Sequence, residues 1–236
     1  MNTDLKRAAR AHESRCVDLV VCDMAGTTVQ DDGQVPRAFT AALAEHGVAV
    51  TPEAINALRG ASKRQAIFEL LPDAPDRAER SERVYASFRV QLERVFGAGV
   101  RAVPGAADTL ARLRAAGIRV VLNTGFDRDT TDLLLTALGW RSGVVDAVVC
   151  GDEVAAGRPA PDLIRACMKA VGVTDTQRVA SVGDTVLDLQ AGRNAGVRYN
   201  IGVLSGAHKR EQLEREPHTH LAASVAAVPG LLGVGC

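Results

Sequence analysis

Length, composition and charge already exclude several classes of protein. The chain has 236 residues, 47% of them hydrophobic and 24% charged, as is usual for a globular protein that buries a core. Its 28 basic and 28 acidic residues balance, so overall charge gives no reason to expect nucleic acid or an anionic membrane as a partner.

The cysteines and the start of the chain indicate an intracellular protein. The five cysteines form no CxxC pair and no regular framework, which favours a reducing compartment. Residues 1–15 carry charges throughout and lack the apolar stretch of a signal peptide, so we expect an N-terminal tail there. No apolar run approaches the length of a membrane span. We therefore expect a cytoplasmic protein that does not enter a membrane.

The first predicted element is a buried strand over about residues 17–24. An apolar run of this length that ends at a turn is typical of a parallel strand. Asp23 lies at its carboxyl end, which is where open α/β sheets bind their ligands. Taken alone, Asp23 has an alternative interpretation as a turn or helix-capping residue.

A helical stretch follows this strand. Gly33 to Pro36 is predicted to be a linker, with Pro36 at the start of a helix. Beyond it, helical spacing without strand-like alternation covers residues 37–47, 52–59, 62–71 and 77–97. We predict a helical domain over residues 35–103, inserted into a core domain formed by residues 16–34 and 104–236.

Strands and helices alternate after residue 104. The predicted strands are 119–123, 147–150, 179–184 and 199–204, and the predicted helices are 105–116, 128–138, 161–171 and one that ends at Gly196. A short strand and a terminal helix are predicted within 221–232. Repeated β-then-α units form a parallel sheet with helices on both faces. The predicted fold class is α/β, a doubly wound, Rossmann-like sheet with an all-helical insertion after the first strand.

Four polar stretches are expected to meet at one edge of this sheet. They are residues 23–28, 123–125, 157–161 and 183–188, and each follows a strand or opens a helix. The carboxylates of Asp23 and Asp184 suit a divalent metal such as Mg²⁺, which prefers oxygen ligands. Thr124 and the backbone N–H groups near residues 25–27 are predicted to hold phosphoryl oxygens. Arg158 is predicted to neutralise charge on the carboxylate and the phosphoryl group.

The order of these stretches resembles the haloacid dehalogenase-like superfamily of phosphotransferases over nearly the whole chain after the tail. The resemblance implies that Asp23 is a nucleophile that forms an aspartyl-phosphate. It also implies substrate phosphate binding near Thr27 and Gly125, and a cap domain over 35–103. The implied Mg²⁺ ligands are Asp23, the backbone carbonyl of Ala25, Asp184 and Asp188.

Ala25 distinguishes this chain from most phosphatases of the superfamily. Those enzymes usually have a second aspartate at this position, which acts as a general acid. Such an acid typically raises the reaction rate by about 10²–10⁴-fold. Asp-x-Ala-Gly-Thr-Thr at 23–28 and Gly-Arg-Pro-Ala-Pro at 157–161 are similar to the phosphonatase branch instead. That branch breaks a carbon–phosphorus bond, so its leaving group is a carbanion that needs an electron sink.

Lys63 lies where phosphonatases have a lysine that forms an imine with the substrate aldehyde. Only four of the 28 basic residues are lysine, and arginine, which clamps phosphate better, cannot form an imine. A phosphate clamp and an exposed charge are the two alternative roles of Lys63. Arg59, Ala66 and Phe126 replace a methionine, a histidine and a tyrosine of phosphonatases. Arg59 suggests a substrate with an additional anionic group, or else is a solvated helix residue.

These observations predict a Mg²⁺-dependent, phosphonatase-like hydrolase. Its substrate would be phosphonoacetaldehyde or a related aldehyde phosphonate, cleaved through a Lys63 imine and an aspartyl-phosphate at Asp23. The alternative is a phosphatase of a small phosphomonoester, such as a sugar phosphate, with Lys63 as a clamp. A catalytically silent binding protein is a further alternative. The resemblance also suggests a homodimer through the cap helices.

Overall fold

The computed structural model describes residues 17–97 and 99–234, so the predicted tail at 1–15 lies outside the described residues. The described chain contains one six-stranded sheet whose neighbouring strands all run parallel, in the order β3-β2-β1-β4-β5-β6. The strands are β1 (Leu19–Asp23), β2 (Arg119–Asn123), β3 (Ala147–Val149), β4 (Val179–Gly183), β5 (Tyr199–Val203) and β6 (His220–Ala222). The α/β class and the doubly wound parallel sheet are confirmed.

Helices connect these strands. They are α1 (Gln34–Glu45), α2 (Pro52–Ala57), α3 (Lys63–Leu70), α4 (Arg77–Gly97), α5 (Ala106–Ala115), α6 (Arg128–Ala137), α7 (Asp162–Ala170), α8 (Val186–Ala195), α9 (Arg210–Leu213) and α10 (Val228–Leu231), with 3₁₀ turns at Thr176–Arg178 and Val225–Ala227. In the part of the chain that the structure describes, no helix has the length and apolarity needed to cross a membrane.

Helix α1 begins earlier than the sequence predicts. Gly33 caps it with a left-handed φ of 85°, and the carboxylate of Asp31 accepts the N–H of Val35 at 3.1 Å. This hydrogen bond satisfies one of the N–H groups that a helix start leaves unpaired, and Pro36 lies within the first turn rather than at its start. Helix α9 was not predicted, because four residues are too few for a helical period to show in the sequence.

Strand β1 is buried on both faces. Leu19 and Val21 pack into the cluster that includes α7, whereas Val20 and Cys22 pack into the larger cluster on the opposite face. This alternation follows from the two-residue period of a strand. It explains why β1 is a continuous apolar run, and it fixes Asp23 at the centre of the sheet edge.

Helices α1–α4 lie between β1 and α5 in the chain and pack on one another. Phe39 of α1 contacts Phe88 of α4 with ring centroids 4.5 Å apart. The two chain segments that lead into and out of this helical region pair through backbone hydrogen bonds from Gln30 to Arg101 and from Val103 to Thr28, each 2.9 Å long. The division into a core and a cap at residues 35–103 stays a prediction.

Replacing Phe88 by alanine is expected to lower the free energy of unfolding by about 3–5 kcal/mol, since the ring is 1% exposed and its loss leaves a cavity between α1 and α4. Val90→Ala, on the same helix but 48% exposed, is the matched control and should change stability by less than about 0.5 kcal/mol. Urea denaturation measures both. Equal effects of the two substitutions would contradict the packing described for α4.

Candidate active site

Three buried carboxylates meet at the carboxyl edge of the sheet. Asp23 ends β1, Asp184 directly follows the neighbouring strand β4, and Asp188 lies in the first turn of α8. One carboxylate oxygen from each lies within 4.8 Å of the others. The predicted convergence of the first and fourth polar stretches is therefore present in the fold.

Asp184 is held by two loops that approach it closely. The hydroxyl of Thr27 donates to one of its oxygens at 3.0 Å, and the backbone N–H of Ala207 donates to the other at 2.6 Å. A Cβ at Gly26 or Gly206 would lie 2.3 or 2.0 Å from an Asp184 oxygen, so only glycine fits at these positions. These contacts fix the carboxylate and place the Thr27 hydroxyl on Asp184.

Asp188 is oriented by the start of α8. Thr185 caps this helix, and a capping box joins the two residues, with Asp188 Oδ2 accepting the backbone N–H of Thr185 at 3.1 Å. The other oxygen of Asp188 pairs with Arg158 Nε at 2.9 Å. The cap therefore directs the other carboxylate oxygen of Asp188 toward the guanidinium of Arg158.

Arg158 joins the carboxylates to the helical region. Its side chain is 2% exposed, and Nη2 lies 2.7 Å from Asp23 Oδ1 and 2.7 Å from Asn123 Oδ1. Its Nη1 donates to the carbonyl of Gly60 at 3.0 Å. Burial alone would lower the pKa of Arg158, but Asp188 and Asp23 raise it above its usual value.

Lys63 begins α3 and is buried, with 7% of its surface exposed. Its Nζ donates to the carbonyl of Ala61 at 3.3 Å and lies 4.9 Å from the ring centroid of Phe126. Burial lowers the pKa of Lys63 to about 8, while the charge of Asp23 opposes this shift. The interpretation of Lys63 as an exposed charge is therefore wrong.

Burial and the neighbouring carboxylates make it costly to ionise Asp23 and Asp184. Burial, together with Asp188 and Asp184, raises the pKa of Asp23 to about 8 although Arg158 opposes it. Burial and Asp188 raise the pKa of Asp184 to about 6. Clustered, buried carboxylate oxygens fit a divalent cation with a preference for hard ligands, which would relieve this repulsion.

Addition of MgCl₂ is expected to raise the unfolding temperature more at about pH 8.5 than at about pH 5.5. Because the pKa of Asp23 rises from 3.8 to about 8 on folding, the folded protein holds a proton that the unfolded chain releases, and stability without a cation falls as pH rises through this window. A cation replaces that proton and binds best once the carboxylates ionise. Thermal unfolding at matched ionic strength measures the shift.

Asp184→Asn is the control for this prediction, because it removes one charge and keeps the size of the side chain. It should abolish most of the Mg²⁺-induced shift at both pH values. A shift of equal size in the variant and the wild type would contradict metal binding by the three carboxylates.

A small cavity brings most of the predicted residues together. It has a volume of about 20 Å³, and the predicted residues that line it are Asp23, Ala25, Arg59, Lys63, Thr124, Gly125 and Arg158. Thr27, Asp184 and Asp188 do not line it, but they contact one another or Arg158 directly behind it. A cavity of this size has room for about one water molecule and is too small for a phosphonate, so the site must open before a substrate can enter.

The turn between α2 and α3 closes this cavity. The backbone N–H of Lys63 donates to the carbonyl of Gly125 at 3.1 Å. A Cβ at Gly125 would lie 2.3 Å from the carbonyl oxygen of Ala61, so a glycine is needed for this approach. Thr124 is engaged locally, since its hydroxyl accepts the N–H of Phe126 at 3.2 Å.

Asn123 and Asp31 belong to the site but were not among the predicted site residues. Asn123 binds Arg158, and its position at the end of a buried strand is a signal that the sequence offers. Asp31 lines the cavity and pairs with Arg59, whose side chain is only 12% exposed. Arg59 is therefore not a solvated helix residue. Asp31 lies in a polar linker, where no sequence pattern distinguishes it from Asp32.

Comparison with known proteins agrees with this geometry. Residues 17–196 match the family described as haloacid dehalogenase-like hydrolase. The phosphonoacetaldehyde hydrolase of Bacteroides fragilis is 31% identical over 222 residues, which cover 89% of this chain and 84% of that protein.

Solved structures share the fold. A phosphonoacetaldehyde hydrolase-like protein from Oleispira antarctica superimposes with a TM-score of 0.81 at 21% identity and covers 92% of both chains. CbbY from Rhodobacter sphaeroides, solved in complex with phosphate, superimposes with a TM-score of 0.73 at 21% identity over 90% of this chain and 96% of that one. The matches support an enzyme rather than a silent binding protein. The chain belongs to the haloacid dehalogenase-like hydrolase family.

Proposed function

We propose that this hydrolase cleaves the carbon–phosphorus bond of phosphonoacetaldehyde or a related aldehyde phosphonate, with Mg²⁺ as its cofactor. The observation that carries the proposal is Lys63, a buried amine with a lowered pKa that lines the same cavity as Asp23. A desolvated lysine near other cations suits imine chemistry, because its neutral form is the nucleophile. Curated relatives named phosphonoacetaldehyde hydrolase add support.

The first step is imine formation at Lys63. The neutral amine adds to the aldehyde carbon, loss of one water molecule gives an imine, and the imine nitrogen takes up one proton. The positively charged imine can then accept the electron pair of the carbon–phosphorus bond. Closure of the turn between α2 and α3 over the cavity keeps bulk water away from this imine.

The second step is attack of the Asp23 carboxylate on phosphorus. The electron pair of the carbon–phosphorus bond moves into the protonated imine and gives an enamine, while phosphorus becomes bonded to Asp23. One water hydrolyses the aspartyl-phosphate to phosphate. The enamine takes up a proton, and a second water releases acetaldehyde and restores Lys63. The net reaction consumes one water for each phosphonoacetaldehyde.

The remaining residues bind and orient the phosphonate. Arg158, paired with Asp23 and Asp188, offsets the charge that builds up when a carboxylate meets a phosphonate. Thr124 and Gly125 border the cavity where phosphonate oxygens would lie. Asp23, Asp184, Asp188 and the backbone carbonyl of Ala25 would hold Mg²⁺, which would supply positive charge to offset that of the carboxylates and the phosphonate.

The alternative is a phosphatase of a small phosphomonoester, with Lys63 as a phosphate clamp. The likeness to CbbY, solved with phosphate, favours it at the level of the fold. However, Ala25 lines the cavity at the position where an ester-cleaving enzyme needs an acid for its leaving group. That position favours a leaving group that requires no such acid.

Borohydride trapping with parallel phosphate release separates the two functions. With phosphonoacetaldehyde, Mg²⁺ and borohydride, we expect inactivation and a modified Lys63, found by mass spectrometry as an ethyl or a phosphonoethyl adduct. An ethyl adduct would show that the carbon–phosphorus bond breaks before reduction. Turnover of phosphate esters without any adduct at Lys63 would overturn the proposal and establish the alternative.

A further inference from the structure

A buried ion pair outside the predicted phosphonate and metal sites lines the same cavity. Arg59 Nη2 lies 2.5 Å from Asp31 Oδ2, and the side chains are 12% and 1% exposed. The other oxygen of Asp31 accepts the backbone N–H of Val35 at 3.1 Å, which anchors the pair to the start of α1. The pair is therefore fixed to the scaffold.

The Arg59 guanidinium retains donors for a ligand. It carries five N–H groups, and Asp31 is its one side-chain hydrogen-bond partner among residues 17–97 and 99–234. Its unpaired N–H groups therefore offer contacts to a molecule that enters the cavity.

The pair borders the cavity that both ends of the proposed reaction share. Asp23, which would attack phosphorus, and Lys63, which would bind the carbonyl carbon, line this cavity together with Arg59 and Asp31. A substrate held by its phosphonate near Asp23 and by its carbonyl carbon at Lys63 spans the cavity. A group on the carbon atom between phosphorus and carbonyl would therefore lie in the space that Arg59 and Asp31 border.

We propose that Arg59 and Asp31 form a subsite for a hydroxyl group on the phosphorus-bearing carbon of the substrate. This inference rests on the proposed function and narrows its substrate to hydroxylated aldehyde phosphonates. Arg59 donates to the hydroxyl oxygen, and the hydroxyl donates to Asp31, whose carboxylate oxygens can each accept a second hydrogen bond.

Charge balance favours a hydroxyl over a second anionic group. Asp31 already compensates the charge of Arg59 at contact distance, so the pair is neutral as a unit. A carboxylate placed beside it would face the negative charge of Asp31 in a buried site, where an unpaired charge is costly. A hydroxyl adds no charge and uses both a donor and an acceptor of the pair. A neutral hydroxyl group on the substrate therefore fits Arg59 better than the additional anionic group that the sequence suggested.

The balanced reaction is the same as before. With 1-hydroxy-2-oxoethylphosphonate, Lys63 forms the imine, phosphorus transfers to Asp23, and the electron pair gives a hydroxylated enamine. Protonation and hydrolysis then release glycolaldehyde, while a further water releases phosphate. One water is consumed in total, and no oxidant or reductant is needed.

The experiment compares kcat/KM for three probes, namely phosphonoacetaldehyde and its analogues with a hydroxyl or a carboxylate on the phosphorus-bearing carbon. We expect the wild type to prefer the hydroxyl analogue to the unsubstituted aldehyde by at least about tenfold, since a buried polar site rejects a ligand that leaves it unpaired. In Arg59→Met, the ratio of kcat/KM for the hydroxyl analogue to that for phosphonoacetaldehyde should fall to about one. Asp31→Asn, which frees the charge of Arg59, should move the preference toward the carboxylate analogue.

These ratios separate recognition from a structural role, which would lower turnover of all three probes alike. Equal ratios in the wild type and in Arg59→Met, or a wild-type preference for the carboxylate analogue, would overturn the inference. Turnover of phosphonoacetaldehyde with trapping at Lys63 but without preference for the hydroxyl would overturn this inference and leave the proposed function intact. Absence of trapping with all probes would overturn both.

Discussion

Replacing Lys63 by arginine is expected to reduce phosphate release from phosphonoacetaldehyde by at least about 10⁴-fold, equivalent to about 5 kcal/mol of activation barrier. Arginine keeps the positive charge and the capacity to bind a phosphonate, but it cannot form an imine. The electrons of the carbon–phosphorus bond then have no acceptor. A steady-state phosphate assay measures the loss of activity, and borohydride trapping measures the loss of imine formation.

Lys63→Met is the matched control, because it keeps a similar length and removes both the charge and the amine. If Lys63 forms an imine, both variants lose activity to the same extent. If Lys63 only clamps phosphate, the arginine variant retains activity within about tenfold while the methionine variant loses it. The two patterns do not overlap, and thermal unfolding of both variants shows whether each has folded.

The rate of imine formation should depend on pH through the protonation of Lys63. Since burial lowers the pKa of Lys63 to about 8, the neutral amine becomes the major form above that pH. The rate of imine formation should therefore rise as pH increases toward about 8 and then level off. A rate that fell through this range would indicate that the protonated lysine is the active form, as a clamp requires.

The main features of the site follow from chain order. Asp23 and Asp184 each come at the end of an apolar run, and parallel strands bring such ends to one edge of the sheet. Arg158 follows from the motif Gly-Arg-Pro-Ala-Pro. These residues were predictable because strand ends and helix starts fix their positions, whatever the details of packing.

Asp31 and the closed turn between α2 and α3 could not be predicted in the same way. The partner of Asp31, Arg59, is 28 residues away, and α1 and α2 lie between them. Which linker acid reaches the cavity depends on how those helices pack. The approach of Ala61 to Gly125 depends likewise on the position of the helical region against the sheet, which no local pattern encodes.

The position of Thr27 was predicted correctly, but its predicted role in phosphate binding stays untested. The sequence places it in the turn after β1, as observed, but its hydroxyl donates to Asp184. Phosphate binding by Thr27 and Gly125, and the homodimer through the cap helices, stay predictions. Because the backbone N–H of Thr27 donates to the carbonyl of Met24 at 3.2 Å, contact of Thr27 with phosphonate oxygens would require one of these two hydrogen bonds to break.

Replacing Gly125 by alanine is expected to lower kcat/KM for phosphonoacetaldehyde by about 10²-fold, because a displacement of about 1 Å near a reacting group has an effect of this size. The added Cβ would lie 2.3 Å from the carbonyl oxygen of Ala61 and 3.0 Å from its carbonyl carbon. Both neighbours are backbone atoms, so the turn must move back as a unit. Lys63, which follows it, would be carried away from Asp23.

Metal binding provides the readout that separates a closure defect from a general one. The atoms nearest to the new methyl group belong to the backbone of Ala61 and Gly60 rather than to the three carboxylates. The Mg²⁺-induced rise in unfolding temperature should therefore persist in Gly125→Ala, while trapping at Lys63 falls with activity. Gly97→Ala, at a position of the helical region with no atom within 4 Å of the added Cβ, is the matched control and should retain activity. Full activity of Gly125→Ala would show that the reaction does not need the closed turn, because the alanine side chain cannot coexist with it.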